Sequence, residues 1–310
     1  MSDRDKPTPK SLDEYIKTVT MFFVDSQLES DFAQAVDNEV RGFKNELLGI
    51  ATMEGMVKYV REHSDSLEKL ISLLNISEEK FKRIITMLRI QKGFVPQGEW
   101  SLAVIRANMM SDESWMSDVC DLLMNGATSS KYKDLIPSFY SCNFKVDATT
   151  MGRLANEDDL RRLVKKRMEG RYSNRIGDMF FKRVSQRVRK VCGPLGLTCD
   201  QKQTVPLVGQ RVELAIPSAK EPRLLIDMIY TITTSSVQTQ YAKRTENVLR
   251  ALREHNARVG ADEKVTYVNV VDGAGWVARQ SDLSKIHRSS DYLLNLKTLS
   301  DLDRLIKSIF

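Results

Sequence analysis

The sequence predicts a two-part protein. A helical domain over residues 1–155 precedes an α/β unit over residues 156–310, in which a mixed sheet is flanked by helices. Three observations carry this reading. Apolar residues recur at helical spacing through the first half. After residue 205 short β-like apolar runs alternate with helical stretches, the pattern of a sheet with helical crossovers. The charge also divides: residues 1–150 hold 18 Lys and Arg against 23 Asp and Glu, a net of −5, and the remaining 29 and 18 give residues 151–310 a net of +11.

Along the chain, residues 11–63 read as two or three amphipathic helices, the first set by Leu12, Tyr15, Ile16, Val19 and Phe22–Phe23. Residues 66–91 form a sharper unit. Leu67, Leu70, Ile71 and Leu74 make one apolar face, Asn75 and Ile76 break it, and Ser77 caps a second helix whose face is Phe81, Ile84, Ile85 and Leu88. With Lys80, Lys82, Arg83 and Arg89 on that helix, the unit fits a helix–turn–helix entering a DNA groove, or two ordinary bundle helices. Gly93 to Gly98 make a break, residues 99–124 return to helical spacing, and the Ser-, Asn-, Asp- and Pro-containing stretch from Asn125 to Thr150 reads as the passage between domains.

Residues 157–192 are one long basic segment, with twelve Lys and Arg between Arg161 and Lys190 against Glu169 and Asp178 alone. Ile176, Phe180, Val184, Val188 and Val191 run three or four apart, so its second half is an amphipathic helix with a basic outer face, stopped by Gly193, Pro194 and Gly196. VELAIPS, RLLIDMIYTITT, KVTYVNVVDG and DYLLNL read as strands, SVQTQYAKRTENVLRALREH and SDLDRLIKSI as helices. The tight turn Asp272, Gly273, Gly275, Trp276 follows a strand and reads as structural.

Composition narrows the function classes. Apolar content of 42% and charged content of 28% are those of a soluble globular protein, and no stretch approaches a membrane span or a signal region, so a cytoplasmic protein is expected. Cys120, Cys142, Cys192 and Cys199 form no CxxC pair, and His63, His255 and His287 are scattered, which argues against a zinc site. There is no GxxxxGK[ST] phosphate loop, hence no nucleotide cofactor. A basic half attracts polyanions through counterion release, with nucleic acid the usual one.

Cleaving a phosphodiester at neutral pH calls for clustered carboxylates that hold Mg²⁺, with a cation to orient the nucleophile. Glu213 in VELAIPS and Asp227 in RLLIDMIY are acids inside apolar strand sequence, fourteen residues apart across a Pro-containing turn. A carboxylate is costly to bury there without a metal or a cation beside it.

The order of parts resembles the PD-(D/E)XK superfamily, specifically type II restriction endonucleases. NRIGDMFFKRVSQRV is similar to the opening helix, the two strands with their Ser/Thr-rich turn to the catalytic strands, and VTYVNVVDGAGW with DYLLNL to the late strands, so the likeness spans residues 170–300. The resemblance implies a restriction-endonuclease-like nuclease core in the second half, sequence-specific cleavage of double-stranded DNA, Glu213 and Asp227 as ligands of Mg²⁺, and a homodimer. The sequence departs at one place. The second strand should read acid, any residue, lysine, and here it reads Asp227-Met228-Ile229. The cation could then come from the following helix, where Lys243 as activator and Glu246 as metal ligand stand three apart, or be replaced by Gln238 or a hydroxyl of Thr233 to Ser236. DNA contacts are expected from Arg161, Arg162, Lys165, Lys166, Arg171, Arg175 and Lys182 of the basic helix and from Ser235, Ser236 and Gln238 of the turn. The alternative is a sequence-specific DNA-binding protein that keeps a degenerate nuclease core as scaffold.

Overall fold

The computed structural model describes residues 6–95 and 97–310. The chain forms two compact units, Ser26–Glu169 in one and Met1–Asp25 with Gly170–Phe310 in the other. This division differs from a boundary at residue 155, and the N-terminal segment is the reason. Helix α1 (Leu12–Ile16) is fixed by a capping box between Ser11 and Glu14. It buries Tyr15, whose hydroxyl donates to the carbonyl of Val271, and it packs with Val19 against Trp276 and Ile286. The segment is thus part of the α/β core.

In the helical unit, α2 (Ser26–Glu46), α3 (Met53–Glu62), α4 (Ser66–Leu73), α5 (Glu78–Gln91), α6 (Leu102–Ser111), α7 (Glu113–Asn125), α8 (Ser130–Lys133), α9 (Ser138–Ser141) and α10 (Ala148–Ala155) surround one apolar core with the start of α11 (Glu157–Cys192). Residues 125–150 are no linker: Tyr132, Ile136 and Phe144 are buried in that core. Helices α4 and α5 stand where the helix–turn–helix spacing puts them, with Ser77 capping α5. Their basic side chains are engaged within the unit. Lys82 pairs with Glu78, Arg83 with Glu79 and Glu99, and Arg89 lies buried 3.8 Å over the Trp100 ring. That is the arrangement of bundle helices.

The α/β unit is built on a five-stranded mixed sheet in the order β1 (Asp200–Val205), β2 (Gln210–Pro217), β3 (Pro222–Tyr230), β4 (Thr266–Asp272), β5 (Tyr292–Leu294). The first three strands form an antiparallel meander, while β3, β4 and β5 run parallel. Helix α12 (Ser236–Asn256) makes the crossover from β3 to β4, α13 (Ala274–Ala278) and α14 (Gln280–Arg288) connect β4 to β5, and α15 (Leu299–Ile309) ends the chain. Strand β1 escapes the apolar pattern because it is a sheet edge. Only Val205 of its six residues is buried.

Two faces of this sheet matter. Side chains alternate along each strand. Leu225, Asp227 and Ile229 therefore share one face with Tyr267, Asn269 and Val271, beneath α12, whose Val248 and Leu252 pack there. Met228 and Tyr230 point the other way, where the Tyr230 ring meets Phe180 of α11 with centroids 5.6 Å apart.

Candidate active site

Three hydrogen bonds hold the carboxylate of Asp227 at the middle of β3. Register places Leu214 opposite Ile226, so one residue further along the antiparallel pair Glu213 lies opposite Asp227 on the same face. The Glu213 N–H donates to Asp227 Oδ1 at 3.2 Å. From α12, Arg244 Nη2 donates to the same oxygen at 2.7 Å, and from β4 the Tyr267 hydroxyl donates to Oδ2 at 2.7 Å. Asp227 is 1% exposed and Arg244 is partly exposed. The guanidinium also bonds the carbonyl of Arg211, and its central carbon stands 5.9 Å from the centre of the Tyr241 ring.

A second layer fixes the first. The Tyr241 hydroxyl donates to Asn269 Oδ1 at 2.7 Å, and Asn269 Nδ2 donates to Ser290 Oγ at 2.9 Å. Asn269 is fully buried, so these partners satisfy a group that would be costly unpaired. Polar side chains thus recur along this face from β2 through β3 and β4 to the residues before β5.

Charge balance at the site is uneven. Burial, reinforced by the neighbouring Asp227, raises the Glu213 carboxyl above the usual range, while Lys202, Arg244 and Arg211 pull it back. Burial also raises Asp227 against the opposing pull of Arg244, Tyr267 and the Glu213 amide. For Arg244 burial works against the charge, and Asp227 together with Tyr241 and Tyr267 offsets it, so the guanidinium stays protonated. Burial, then Asp227, raises Tyr267 well above a free phenol, so its hydroxyl keeps the proton that it donates.

Among the described residues the cation on α12 that pairs with Asp227 is Arg244, one residue after the expected Lys243. Lys243 is exposed and has no ion pair or hydrogen bond among the described residues. Helix α12 starts after Ser235 and buries Tyr241, Ala242, Thr245, Val248, Leu249 and Leu252. At about 100° per residue, that phase directs Lys243 away from the sheet and leaves Arg244 on the flank beside it. Glu246 is half-buried with no hydrogen-bond partner among the described residues. Ile229 packs into the apolar cluster of Tyr241 and Val271. The buried phase of α12 is visible in its sequence, since Arg244 stands three after Tyr241 and four before Val248. Tyr267 and Asn269 carry a weaker signal, polar side chains within the VTYVNVV strand.

The other expected contacts are placed as follows. Ser235 caps α12, and Gln238 is buried in the reciprocal cap, accepting from the Ser235 amide at 2.7 Å and donating to Thr231 Oγ1. Ser236 is exposed. Arg161 pairs with Asp37 and Glu157, and Arg162 with Asp159. Lys165, Lys166, Arg171, Arg175 and Lys182 lie along α11, all exposed. In the α/β unit α11 covers the sheet face opposite the carboxylates, so sequence position alone does not bring its basic residues to Asp227.

Two carboxylates on adjacent strands are a donor set for a hard divalent cation. Each carboxylate offers about four lone-pair sites. Asp227 uses three, and the carboxylate of Glu213 accepts no hydrogen bond among the described residues. No group of three or more His, Cys, Asp or Glu side chains suited to a metal ion is present among the described residues. The pair therefore fits Mg²⁺ completed by water and phosphate oxygens, the way this ion is commonly held.

The class of protein that this unit resembles is the type II restriction endonucleases. Comparison bears the resemblance out: residues 170–304, from within α11 to within α15, match the family model described as DpnII restriction endonuclease. No curated protein matches the chain. Among the described residues no helix is long and apolar enough to cross a membrane.

Proposed function

We propose that the protein cleaves double-stranded DNA at a short sequence, with Mg²⁺ held by Glu213 and Asp227 and a homodimer supplying one site to each strand. The observation that carries this reading is the carboxylate pair set side by side on β2 and β3, inside the segment that matches a restriction endonuclease family. The strand order supports a PD-(D/E)XK core: a helix, an antiparallel meander, a crossover helix, then parallel strands.

When bound, Mg²⁺ lowers the pKa of a coordinated water and offsets charge that develops on the phosphate. The chain's own groups do the positioning. Tyr267 and the Glu213 amide fix the Asp227 carboxylate in one orientation, and the half-buried Glu213 carboxylate stands beside it with its acceptor sites open. Lys165, Lys166, Arg175 and Lys182 on α11 supply positive charge for phosphate contacts.

The test is incubation of the protein with plasmid DNA in Mg²⁺ and in excess EDTA, resolved on a gel. Discrete fragments formed only with Mg²⁺ support the reading. A second reading, a DNA-binding protein with a degenerate core, is favoured by Ile229 in place of the motif lysine and by the outward placement of Lys243. Retardation of DNA without cleavage at any divalent ion would select it.

A further inference from the structure

Resting on that reading, we infer that Arg244 is the catalytic cation of this site, taking through α12 the part that Ile229 leaves vacant on β3. The first ground is geometry. Among the described residues Arg244 is the basic residue that pairs with Asp227, with Nη2 2.7 Å from Oδ1. The second is how its donors are spent. Both hydrogen bonds of the side chain, to Asp227 and to the Arg211 carbonyl, use Nη2. Nε and Nη1 bond to nothing among the described residues and are not among the buried unpaired atoms. With the side chain 31% exposed, these donors face solvent. A guanidinium anchored by one nitrogen and open at the others is suited to a phosphate, whose non-bridging oxygens accept a paired set of N–H groups.

The third ground is preorganisation. The guanidinium stands beside the Tyr241 ring, and the Tyr241 hydroxyl is tied to Asn269. Lys202 on β1 is the competing cation, since its charge also acts on Glu213. Its ammonium rests 4.2 Å over the Phe181 ring and makes no ion pair to either carboxylate among the described residues.

In the hydrolysis, the oxygen of water bonds to phosphorus while one ester P–O bond breaks. The proton released by the water and the proton taken up by the leaving oxygen balance. Negative charge gathers on the non-bridging oxygens in between, and Arg244 stabilises it there. Asp227 orients the guanidinium, so it is a positioning residue for Arg244 as well as a metal ligand.

The experiment is single-turnover cleavage of a duplex by wild type, Arg244→Ala, Arg244→Lys and Lys202→Ala. Duplex affinity in Ca²⁺ and thermal stability are measured alongside, and guanidinium chloride at non-denaturing concentration is added to the alanine variant. We expect Arg244→Ala to lose roughly a hundredfold or more in rate, as for the removal of one preorganised donor to developing charge. Arg244→Lys should recover part of the rate, and added guanidinium should raise Arg244→Ala alone, which a purely structural arginine would not show. If the alanine variant fails to fold, the lysine variant and its rate decide. Cleavage by wild type with unchanged rates in the Arg244 variants overturns the inference and leaves the proposed function standing. A loss in Lys202→Ala without one in Arg244→Ala also overturns it. No cleavage by wild type in any divalent ion overturns both.

Discussion

Asp227 and Asp272 are both buried acids on parallel neighbouring strands of one sheet, and they are held in opposite ways. Asp272 ends β4 and accepts three backbone amides, from Thr20 at 2.6 Å, Gly273 at 3.0 Å and Leu296 at 2.9 Å. It ties the N-terminal segment and the loop after β5 to the strand end. Beside it Gly273 has φ +106°, and a Cβ there would stand 2.1 Å from the Thr231 carbonyl oxygen. Asp227 accepts one amide and two side chains, with a second carboxylate alongside. Backbone donors cannot leave without unfolding, whereas a guanidinium and a phenol can rearrange around a ligand. The sheet thus holds one acid as a clamp and the other as the proposed metal ligand.

Asparagine at each position separates these roles, and the largest effect is expected at Asp227. Asp227→Asn keeps an acceptor for the Glu213 amide and Arg244, and the Tyr267 hydroxyl can turn to accept the new amide. Its unfolding midpoint in urea should stay near wild type while Mg²⁺-dependent cleavage falls about a thousandfold, ~4 kcal/mol of barrier. Wild-type cleavage would remove Asp227 from the site. Asp272→Asn should do the reverse, since both its oxygens face N–H groups and the new amide must oppose one of them. A loss of about 2 kcal/mol in urea unfolding is expected. An unchanged midpoint would show that the clamp contributes little.

The same contrast extends to the basic helix. Lys165 and Lys166 join no ion pair among the described residues, unlike Arg161 and Arg162 in the same unit. Replacing both lysines by alanine should flatten the slope of log K against log salt by about 0.9 for each phosphate that they neutralise in the wild type. Alanine at Arg162, already paired with Asp159, should change it less. Equal slopes in all variants would mean that DNA does not touch this stretch.

The legible part of the fold and site can be traced through the same residues. Glu213 and Asp227 stand out as acids in apolar strands, and the antiparallel register that joins them follows from the short turn between β2 and β3. The four apolar strands show in the pattern as well. The edge strand β1 does not, because Lys202, Gln203 and Thr204 face solvent. Nor does the union of residues 12–23 with a sheet more than 200 positions away, a matter of packing that local periodicity does not encode. The stretch 125–150 misleads for the opposite reason: polar loops surround Tyr132 and Phe144, which carry its burial. At the site, residue type points to Lys243, whereas the fold follows helical phase.

That last difference sets the smallest expected effect. Lys243 and Arg244 are adjacent cations on α12, and only their angles about the helix axis distinguish them. Lys243 projects from the side opposite Tyr241 and Val248, exposed, with its amine in water. An exposed lysine without a partner adds little to stability, and alanine is the better helix former. Lys243→Ala should therefore shift unfolding by no more than about 0.5 kcal/mol. Its single-turnover cleavage rate should remain within about twofold of wild type, below ~0.5 kcal/mol of barrier. The measurement sharpens the comparison because charge is removed equally from either position. A long-range effect of net charge on DNA would lower both variants alike, and the loss would shrink as salt is raised toward the screening limit. A contact with the reacting phosphate lowers Arg244→Ala alone and persists in salt. A hundredfold loss in Lys243→Ala at high salt would mean that α12 presents its other side to DNA, and the phase assigned to the helix would be wrong.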